Sequence, residues 1–533
     1  MNYSSYIGKG LTTCFAVATL FSCTKNFEEI NTPPKDATSA PTPQVYNMII
    51  SSLPLTAGEQ SVFNSWIYPI TQQAIVVSGA YPYNNARNDA WSNYYLTLAN
   101  YRLLEDRIAT SENPGKLNNI YAMLKTIMAY KAFKTTNYYG DMPYSQAGYA
   151  PLQGSSGYKV PYDSQADIYV DLLEELKWAV DNFSNGADQE SLGAYETFLQ
   201  GDIAKWTKFA NSLRLYVAVT MADKNSAAAN AAITEALSKP LLADGDDIGL
   251  WPAKIAGLDL QWRTWSFSAN CYLRMGTTMW DLMSSNDNPN GSGIFDPRAK
   301  IFYETNNAGQ WAAYPQNPTT STPTEGGAPY DTKRFTNWPD KGAANIYSPV
   351  NLYFEQDTKS IPELMLTAAQ VHFLKAEVYN RGLGVAASPA SAKAEYEAGV
   401  KASVNMWTSI AYNSPVWVVN KPAAPTVPQS VIDDLLANPV VKYDEANASN
   451  ALKQIYAQNW IDMYRQPWDA WLLQRRTGGK TPKSTENEQY YNTNFGVYNR
   501  FIYPENELSY NYDNYKVAAG DADLPSEKIW VMP

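Results

Sequence analysis

Residues Tyr121–Ala147 read YAMLKTIMAYKAFKTTNYYGDMPYSQA. In the first part of this stretch, Met123 and Ile127 begin an apolar stripe with the 3.6-residue period of a helix. The second part contains Gly140, which adopts backbone conformations that other residues resist, and Pro143, which cannot continue a helix. The stretch therefore predicts a buried helix that delivers a rigid aromatic loop to one place. A simpler interpretation is a helix end whose tyrosines pack on the core.

The same periodicity predicts helices along most of the chain. The sequence from Ser164 to Asp167 is typical of a helix start, because its hydroxyl and carboxylate can bind the free amide groups of a first turn. Pro362 stands where a first helical turn tolerates proline. We expect about four helix pairs, near residues 90–138, 163–222, 362–408 and 449–476.

Between about residues 244 and 353 the helical period is lost, although tryptophan and tyrosine remain frequent. This region is too rich in aromatic residues to be disordered. An irregular segment of this length that stays ordered is usually functional. Periodicity alone therefore predicts a mostly α-helical protein with a large irregular insert.

The composition excludes several classes of function. The chain has 533 residues, of which 45% are hydrophobic and 17% charged, as in a globular protein. Its formal net charge of -11 argues against a nucleic-acid partner, because binding to phosphates requires a basic surface. Cys14 and Cys23 lie near the N-terminus and Cys271 is alone in the body of the chain. Neither an internal disulfide framework nor a cysteine metal site is expected.

The sequence contains no recognisable catalytic constellation. His372 is the only histidine, and it has no partner in a His-Glu-x-x-His or Gly-x-Ser-x-Gly motif. Asp141, Asp296 and Glu363 are among the carboxylates that could form a glycosidase pair, but their spacing does not select two of them. We predict that the protein has no catalytic residues, that it is not an enzyme and that His372 is structural.

Two acidic or amide-rich turns contain oxygen ligands of the kind that calcium binds. They are Asp244–Asp247, with the sequence DGDD, and Asn286–Gly291, with the sequence NDNPNG. Neither matches the twelve-residue calcium loop. We predict solvated turns and no cofactor, with a structural calcium ion as the alternative.

The N-terminus has the pattern of a targeting segment. Lys9 is followed by the apolar run Leu11–Phe21, which is too short to span a bilayer. The run ends in the sequence LFSC at Cys23, which resembles the lipobox of bacterial lipoproteins. We predict a signal peptide at 1–22, acylation of Cys23, a flexible tether at 23–43 and a single domain at 44–533. An ordinary secretory signal and a cytosolic protein with an apolar start are the alternatives.

Two stretches resemble the SusD/RagB family of surface lipoproteins, which capture nutrients in Bacteroidetes. The sequence YGDMPYSQA at Tyr139–Ala147 is similar to the family signature FGD-(V/I/M)-PYSEA, and GDIAKWTKFANSLRL at Gly201–Leu215 is similar to GD..KW.KFANSLRLR. Similar segments at Trp468–Gly478 and Arg500–Pro504 extend the resemblance over nearly the whole chain. The resemblance implies a mainly all-α fold of tetratricopeptide-like helix pairs packed with a large irregular, loop-rich half.

The resemblance also implies a function. Members of the family hold a glycan and pass it to a SusC-like TonB-dependent transporter, on which they sit as a lid. The lipid on Cys23 would anchor the protein in the outer membrane, exposed at the cell surface. Sugar rings stack on tryptophan and tyrosine, while polar side chains bind the hydroxyls. We expect the ligand site in an early loop and the irregular half, at Tyr81, Tyr83, Asn84, Arg87, Trp262, Trp265, Trp311, Tyr314 and Trp338.

Three alternatives stay open. One is a protein of the RagB type that binds peptide, another is a surface glycoside hydrolase, and the third is a structural helical-repeat scaffold. For any single aromatic residue, packing in the core is the competing interpretation. The tryptophans on predicted helices are assigned to the core: Trp91, Trp206, Trp407, Trp460 and Trp471.

Overall fold

A computed structural model describes residues 40–76, 85–255, 257–258, 260, 273–315, 318–323, 346–357, 359–483, 493 and 496–533. It is mainly α-helical, which confirms the predicted fold class. In chain order the helices are α1 (Thr42–Ser51), α2 (Ala57–Val62), α3 (Tyr68–Thr71), α4 (Asn85–Ala109), α5 (Asn118–Tyr139), α6 (Ala150–Gln153), α7 (Gln165–Asn182), α8 (Ile203–Met221), α9 (Ser226–Leu237), α10 (Thr277–Trp280), α11 (Ala299–Phe302), α12 (Tyr353–Gln356), α13 (Ala368–Arg381), α14 (Pro389–Asn413), α15 (Gln429–Ala437), α16 (Ala448–Asp462), α17 (Pro467–Arg476), α18 (Glu505–Tyr510) and α19 (Tyr512–Ala519). The strands are β1 (Ile75–Val76), β2 (Ile248–Leu250), β3 (Leu273–Arg274) and β4 (Glu363–Leu366). None of the helices in these ranges has the length and apolar character needed to cross a membrane.

Single polar side chains set several helix starts. Ser164 Oγ accepts a hydrogen bond from Asp167 N at 3.1 Å and caps α7, as the sequence predicts. Asp202 caps α8 through the amide three residues on, at 2.9 Å, and Thr367 caps α13 in the same way at 3.0 Å. Each such cap stabilises a helix by about 1 kcal/mol. These boundaries are therefore encoded locally in the chain.

The helices pack in a continuous series. Helix α4 packs on α5, α5 on α7, α7 on α8 and α8 on α9. Helix α8 also contacts α13, which packs on α14 and α16, so the early and late helices share one core. The five helical tryptophans assigned to the core by sequence are all buried, which confirms that prediction: Trp91, Trp206, Trp407, Trp460 and Trp471.

Pro362 does not begin a helix, and the prediction of a helical turn at this residue was wrong. The residues that follow it form strand β4, which pairs antiparallel with β2, and α13 begins only at Ala368. The backbone groups of the Leu-Met-Leu segment find partners in β2. This tertiary pairing outweighs the local preference of these residues for a helix.

The loop after α5 is held by the C-terminal part of the chain. Gly140 has a φ of 85°, a conformation that favours glycine. Phe501 N donates to the backbone oxygen of the buried Tyr138 at 2.7 Å. Tyr503 Oη donates to the backbone oxygen of Asp141 at 2.8 Å. The loop is therefore fixed by contacts with a distant segment as well as by its own turn.

The described parts of residues 244–353 contain only short elements, but they are firmly packed. Trp280 and Trp311 are both buried and stack with ring centroids 6.1 Å apart and an interplanar angle of 16°. Arg298 is fully buried and its guanidinium donates to Gln458 Oε1 on α16 at 2.6 Å. Aromatic stacking thus holds parts of the irregular region together, and a buried polar bond connects the region to α16.

Candidate functional site

Strands β1 and β3 bring together the roots of two segments that were predicted to bind ligand. They pair antiparallel, with Val76 opposite Leu273. Residues 77–84 leave β1 directly after Val76, and residues 261–272 enter β3 directly before Leu273. The first segment therefore begins beside the point where the second segment ends. The predicted site residues within them lie outside the described part of the structure and are Tyr81, Tyr83, Asn84, Trp262 and Trp265.

The two ends of a third segment meet in the same way. Residues 324–345 contain the predicted site residue Trp338 and also lie outside the described ranges. On either side of them, Tyr347 Oη donates to the backbone oxygen of Pro323 at 3.1 Å. This contact joins the described residues on the two sides of the segment, which we call its root.

A small apolar cluster connects the three roots. It consists of Ile75, Tyr314 and Tyr347, and it is separate from the main core. The rings of Tyr314 and Tyr347 lie 4.8 Å apart, edge to face. Ile75 belongs to β1, and Tyr314 N donates to the backbone oxygen of Met275, the residue after β3, at 2.7 Å. We call these three residues the root cluster.

A cleft of about 290 Å³ is linked to the end of β3. Its walls include Trp66, Gln72, Gln474 and Tyr498. The rings of Trp66 and Tyr498 lie 5.3 Å apart at an interplanar angle of 57°. Gln72 Oε1 accepts a hydrogen bond from Thr278 Oγ1 of α10 at 3.0 Å, and α10 follows β3 closely in the chain. The cleft therefore combines two aromatic rings with two amide side chains beside the root cluster.

The cleft is positively charged, although the formal net charge of the protein is -11. Lys483, Lys528 and Arg475 line it. The guanidinium of Arg475 lies 3.6 Å from the centroid of the Trp471 ring, so it is held in place. Burial raises the pKa of the Tyr498 hydroxyl, which therefore stays protonated at neutral pH. Lys528 Nζ donates to the backbone oxygen of Pro533 at 2.7 Å, and Arg475 Nη1 donates to the backbone oxygens of Asn137 and Asn499 at 2.8 and 2.7 Å. These two basic groups therefore bind mainly to the protein itself.

The three predicted site residues that the structure describes are largely buried. Arg87 Nη2 pairs with Glu505 at 2.9 Å, and the two side chains are 9% and 81% exposed. Trp311 packs on Trp280 in the main core, and Tyr314 belongs to the root cluster. Tyr314 and Arg87 therefore lie at or near the roots of predicted loops. Trp311, by contrast, contributes to the packing beneath them.

No sequence pattern marks the residues of the cleft. Trp66 and Gln72 lie near α3, whereas Gln474 and Tyr498 lie close to the other end of the chain. No local pattern links them, because the cleft forms only where the segment after α17 returns to α3. The one visible signal was Gly478–Gly479, since two consecutive glycines after a helix mark a sharp turn.

The carboxylates considered for catalysis serve the fold. Asp296 is fully buried, and its Oδ2 accepts from the Arg298 guanidinium at 2.6 and 3.2 Å. Glu363 accepts a hydrogen bond from a backbone amide before α2 at 2.9 Å, and Asp141 accepts one from the first amide of α7 at 2.8 Å. His372 Nδ1 lies 2.6 Å from a glutamate carboxylate on α14.

In the two turns considered for calcium, side-chain oxygens accept hydrogen bonds from backbone amides of the protein. Asn286 Oδ1 accepts from Asn288 N at 2.9 Å, and Asn288 Oδ1 accepts from Asn290 N at 3.2 Å. Asp247 Oδ1 accepts from the first amide of α13 at 2.9 Å, and burial raises the pKa of this carboxyl to about 6. Among the residues that the structure describes, no group of three or more histidine, cysteine, aspartate or glutamate side chains could hold a metal ion.

A larger and more apolar groove, of about 490 Å³, lies beside α4 and the loop after α5. Leu96 and Tyr158 line it and are 70% and 67% exposed. Pro143 and Trp91 form part of its floor, and Glu507 stands at its edge. Its walls are mainly hydrocarbon and aromatic, unlike those of the cleft.

A protein-family model described as "Starch-binding associating with outer membrane" matches residues 37–504. No curated protein matches the chain. The fold is similar to that of a chitin-binding protein, with 22% sequence identity, coverage of 92% of this chain and 99% of that chain, and a TM-score of 0.69.

Two further solved structures have a similar fold. A Bacteroidetes SusD-like protein, AC2a, is 20% identical, with coverage of 93% of this chain and 100% of that chain and a TM-score of 0.67. A SusD homologue from Bacteroides fragilis NCTC 9343 is 18% identical, with coverage of 92% and 99% and a TM-score of 0.67. At these identities the likeness establishes the fold alone.

Proposed function

The chain belongs to the SusD-like family, described as starch-binding and associated with the outer membrane, and we propose that it binds a glycan at the cell surface without chemically changing it. The observation that carries the proposal is that the described residues flanking three segments meet at the root cluster. All three contain aromatic residues selected by sequence, and their roots lie beside a cleft with aromatic and amide walls. Aromatic rings can stack on the C–H groups of a sugar, and amides can form hydrogen bonds with its hydroxyls.

The chemistry of the cleft supports an oligosaccharide ligand. Tyr498 is partly exposed beside Trp66, and Gln72 and Gln474 place amide groups around the rings. Stacking on a half-open surface gains little over water, so we expect dissociation constants that are micromolar or weaker, on the order of 8 kcal/mol or less. A binding protein of this kind needs no acid, base or metal.

The described chain begins near one end of α4, and segment 77–84 adjoins the other end in the sequence. Arg107, near the C-terminal end of α4, donates to the backbone oxygen of Ala40, where the described chain begins. Segment 77–84 immediately precedes the other end of α4 at Asn85. At 1.5 Å per residue these two ends of α4 are roughly 33 Å apart. We propose that acylation of Cys23 anchors the single domain 44–533 at one end and leaves the glycan site at the other, facing a SusC-like TonB-dependent transporter.

Binding of a panel of glycans and peptides tests this function. We expect the full-length chain to retain at least one oligosaccharide in affinity electrophoresis, with starch and chitin fragments included because of the names of its family and neighbours. Tyr498→Ala should weaken retention, whereas Tyr510→Ala, which changes an exposed tyrosine outside the cleft, should not. Retention of no glycan at all would contradict the proposal.

Peptide capture is the second candidate, and the apolar groove favours it. Leu96, Tyr158 and Trp91 could bind apolar side chains, with Glu507 at the edge for a basic group. In the same panel, binding of peptides that is lost in Tyr158→Ala and kept in Tyr498→Ala would select this function over glycan binding.

A further inference from the structure

A second polar cavity, of about 190 Å³, lies among the helices away from the cleft. Helices α4, α5 and α7 supply its walls, and the loop after α5 covers one side with Tyr144 and Ser145. It shares no lining residue with the cleft. At about 30 Å³ per water molecule it has room for roughly six waters, which is the scale of one sugar ring and not of a chain. We call it the helical cavity.

One buried hydroxyl in the helical cavity lacks a partner. Tyr94 lines the cavity and is 1% exposed, and its Oη makes no hydrogen bond to any residue that the structure describes. Burial raises the pKa of this hydroxyl, and the charges of Arg102 and Asp171, which line the cavity, act on it as well. A buried hydroxyl without a partner costs about 1–3 kcal/mol. Tyr94 is therefore a donor in need of an acceptor.

Two carboxylates each have one oxygen still able to accept. Glu175 Oε2 bonds Lys125, and Asp171 Oδ2 accepts from Tyr144 Oη at 2.6 Å. Glu175 Oε1 and Asp171 Oδ1 accept no hydrogen bond from any residue that the structure describes. Lys125 keeps further N–H groups, because an ammonium has three donors. Donors and acceptors thus alternate around the space, as the hydroxyls of a sugar require.

The charges that line the helical cavity balance. Arg102 and Lys125 supply two positive charges, and Asp171 and Glu175 supply two negative charges. Both carboxylates would repel an anion, and both basic groups would repel a cation. A neutral ligand is therefore favoured.

The remaining wall is apolar. Leu98, Met128 and Ala129 form it and can pack against the C–H face of a ring. Asp171 and Ser145 are exposed, so the cavity opens to solvent at this end. A ligand can enter there without unfolding a helix.

From these features we infer that the helical cavity binds one neutral sugar ring or a similar polyol, with Tyr94 donating to a ligand oxygen and Asp171 and Glu175 accepting from its hydroxyls. This site is separate from the proposed glycan cleft. It would bind a sugar even if the cleft bound peptide.

Saturation-transfer NMR on the full-length chain tests the inference, with glucose, xylose and myo-inositol as probes. Sulfate and glycine betaine serve as charged controls. Tyr94→Phe removes only the hydroxyl and relieves a buried unpaired group, so the fold should be as stable as the parent or more so. We expect it to weaken binding of the bound probe about tenfold. Asp171→Asn, which changes an exposed residue at the mouth, should weaken binding several-fold.

The outcomes separate this site from the cleft. If Tyr94→Phe and Asp171→Asn lose the probe and Tyr498→Ala keeps it, the helical cavity binds the sugar. If Tyr498→Ala loses it and Tyr94→Phe keeps it, the sugar binds only in the cleft and the inference fails. Binding of no neutral probe at any site, or stronger binding of sulfate or betaine, would also overturn it and would show that the cavity holds water or an ion only.

Discussion

Glu377 on α13 and Arg476 on α17 are joined by two hydrogen bonds of 3.0 and 2.8 Å, and both side chains are almost completely buried. Arg381 Nη1 also pairs with Glu377, at 2.8 Å, and Tyr456 Oη of α16 donates to the same carboxylate at 2.9 Å. One carboxylate thus connects three helices of the late part of the core.

Replacing this carboxylate should be strongly destabilising. Glu377→Gln leaves Arg476 buried without its counter-charge, and we expect a loss of about 3–5 kcal/mol in the free energy of unfolding. Urea denaturation followed by circular dichroism measures it. Glu445→Gln is the matched control, because Glu445 forms an exposed pair with Lys393 at 3.3 Å and should contribute about 1 kcal/mol or less. Equal effects of the two changes would contradict this account.

The same group predicts a loss of stability in acid. Burial raises the pKa of Glu377, but Arg476 and Arg381 outweigh it and hold the pKa at about 2, compared with the usual 4.5. Because the folded pKa is the lower one, the stabilisation is fully present above the usual pKa and is lost as the pH falls through the folded value. The difference in unfolding free energy between the parent and Glu377→Gln should shrink between about pH 5 and pH 2. A difference that is constant over this range would show that Glu377 does not have a lowered pKa in the folded protein.

Asp469 should have the opposite dependence on pH. Burial raises the pKa of this carboxyl to about 6, although Lys134 lowers it and Tyr216 Oη donates to it at 3.2 Å. Because the folded pKa is the higher one, the stabilisation is full below the usual value of 3.8 and is lost as the pH rises through about 6.

Between about pH 5 and pH 7.5 the free energy of unfolding of the parent protein should fall by on the order of 1 kcal/mol. That of Asp469→Asn should not fall in this way, because asparagine does not titrate. Thermal denaturation of both proteins at several pH values checks this. Parallel stability curves would mean that Asp469 does not titrate in this window.

Gly399 marks a close approach of α13 and α14. A Cβ atom at this position would lie 2.8 Å from Cε1 of Phe373, closer than two carbon atoms can pack. We expect Gly399→Ala to cost about 1–3 kcal/mol by overpacking, even though alanine is the better helix former. Gly115→Ala is the control, since nothing lies within 4 Å of a Cβ there. A Gly399→Ala protein as stable as this control would show that the helices can move apart at little cost.

The proposed glycan cleft predicts a particular pattern of binding losses. Tyr498→Ala and Gln474→Ala should each weaken binding of the retained oligosaccharide about tenfold, because each removes one stacking surface or one hydrogen-bonding amide. Both residues are only partly buried, so the fold should remain intact. Fluorescence titration measures the affinities. Unchanged affinity in both variants would place the binding site elsewhere.

Features with a local physical cause could be predicted from the sequence. The cap at Ser164, the burial of Trp206 and the helix that ends at Gly140 each follow from side chains close by in the chain. The mainly α-helical fold followed as well, because its helices have amphipathic or capped segments. Strand β4 could not be predicted, since its partner β2 is more than one hundred residues away in the chain.

The candidate site was only partly accessible to sequence reasoning. The aromatic loops were visible as composition, but the pairing of Val76 with Leu273 that joins their roots was not. The cleft was missed because Trp66 and Tyr498 meet only through the return of the C-terminal segment. Tyr94 was equally hidden, because an unpaired hydroxyl is a property of packing and not of sequence.

Hydrogen–deuterium exchange with and without the retained oligosaccharide tests the central claim most directly. If the glycan binds over the root cluster and cleft, backbone amides at 75–76, 273–276, 346–348 and 496–499 should exchange more slowly in its presence. Amides along the apolar groove, at 147–158, should be unaffected. Slower exchange confined to 147–158, or no change at the root cluster with the glycan bound, would contradict the account.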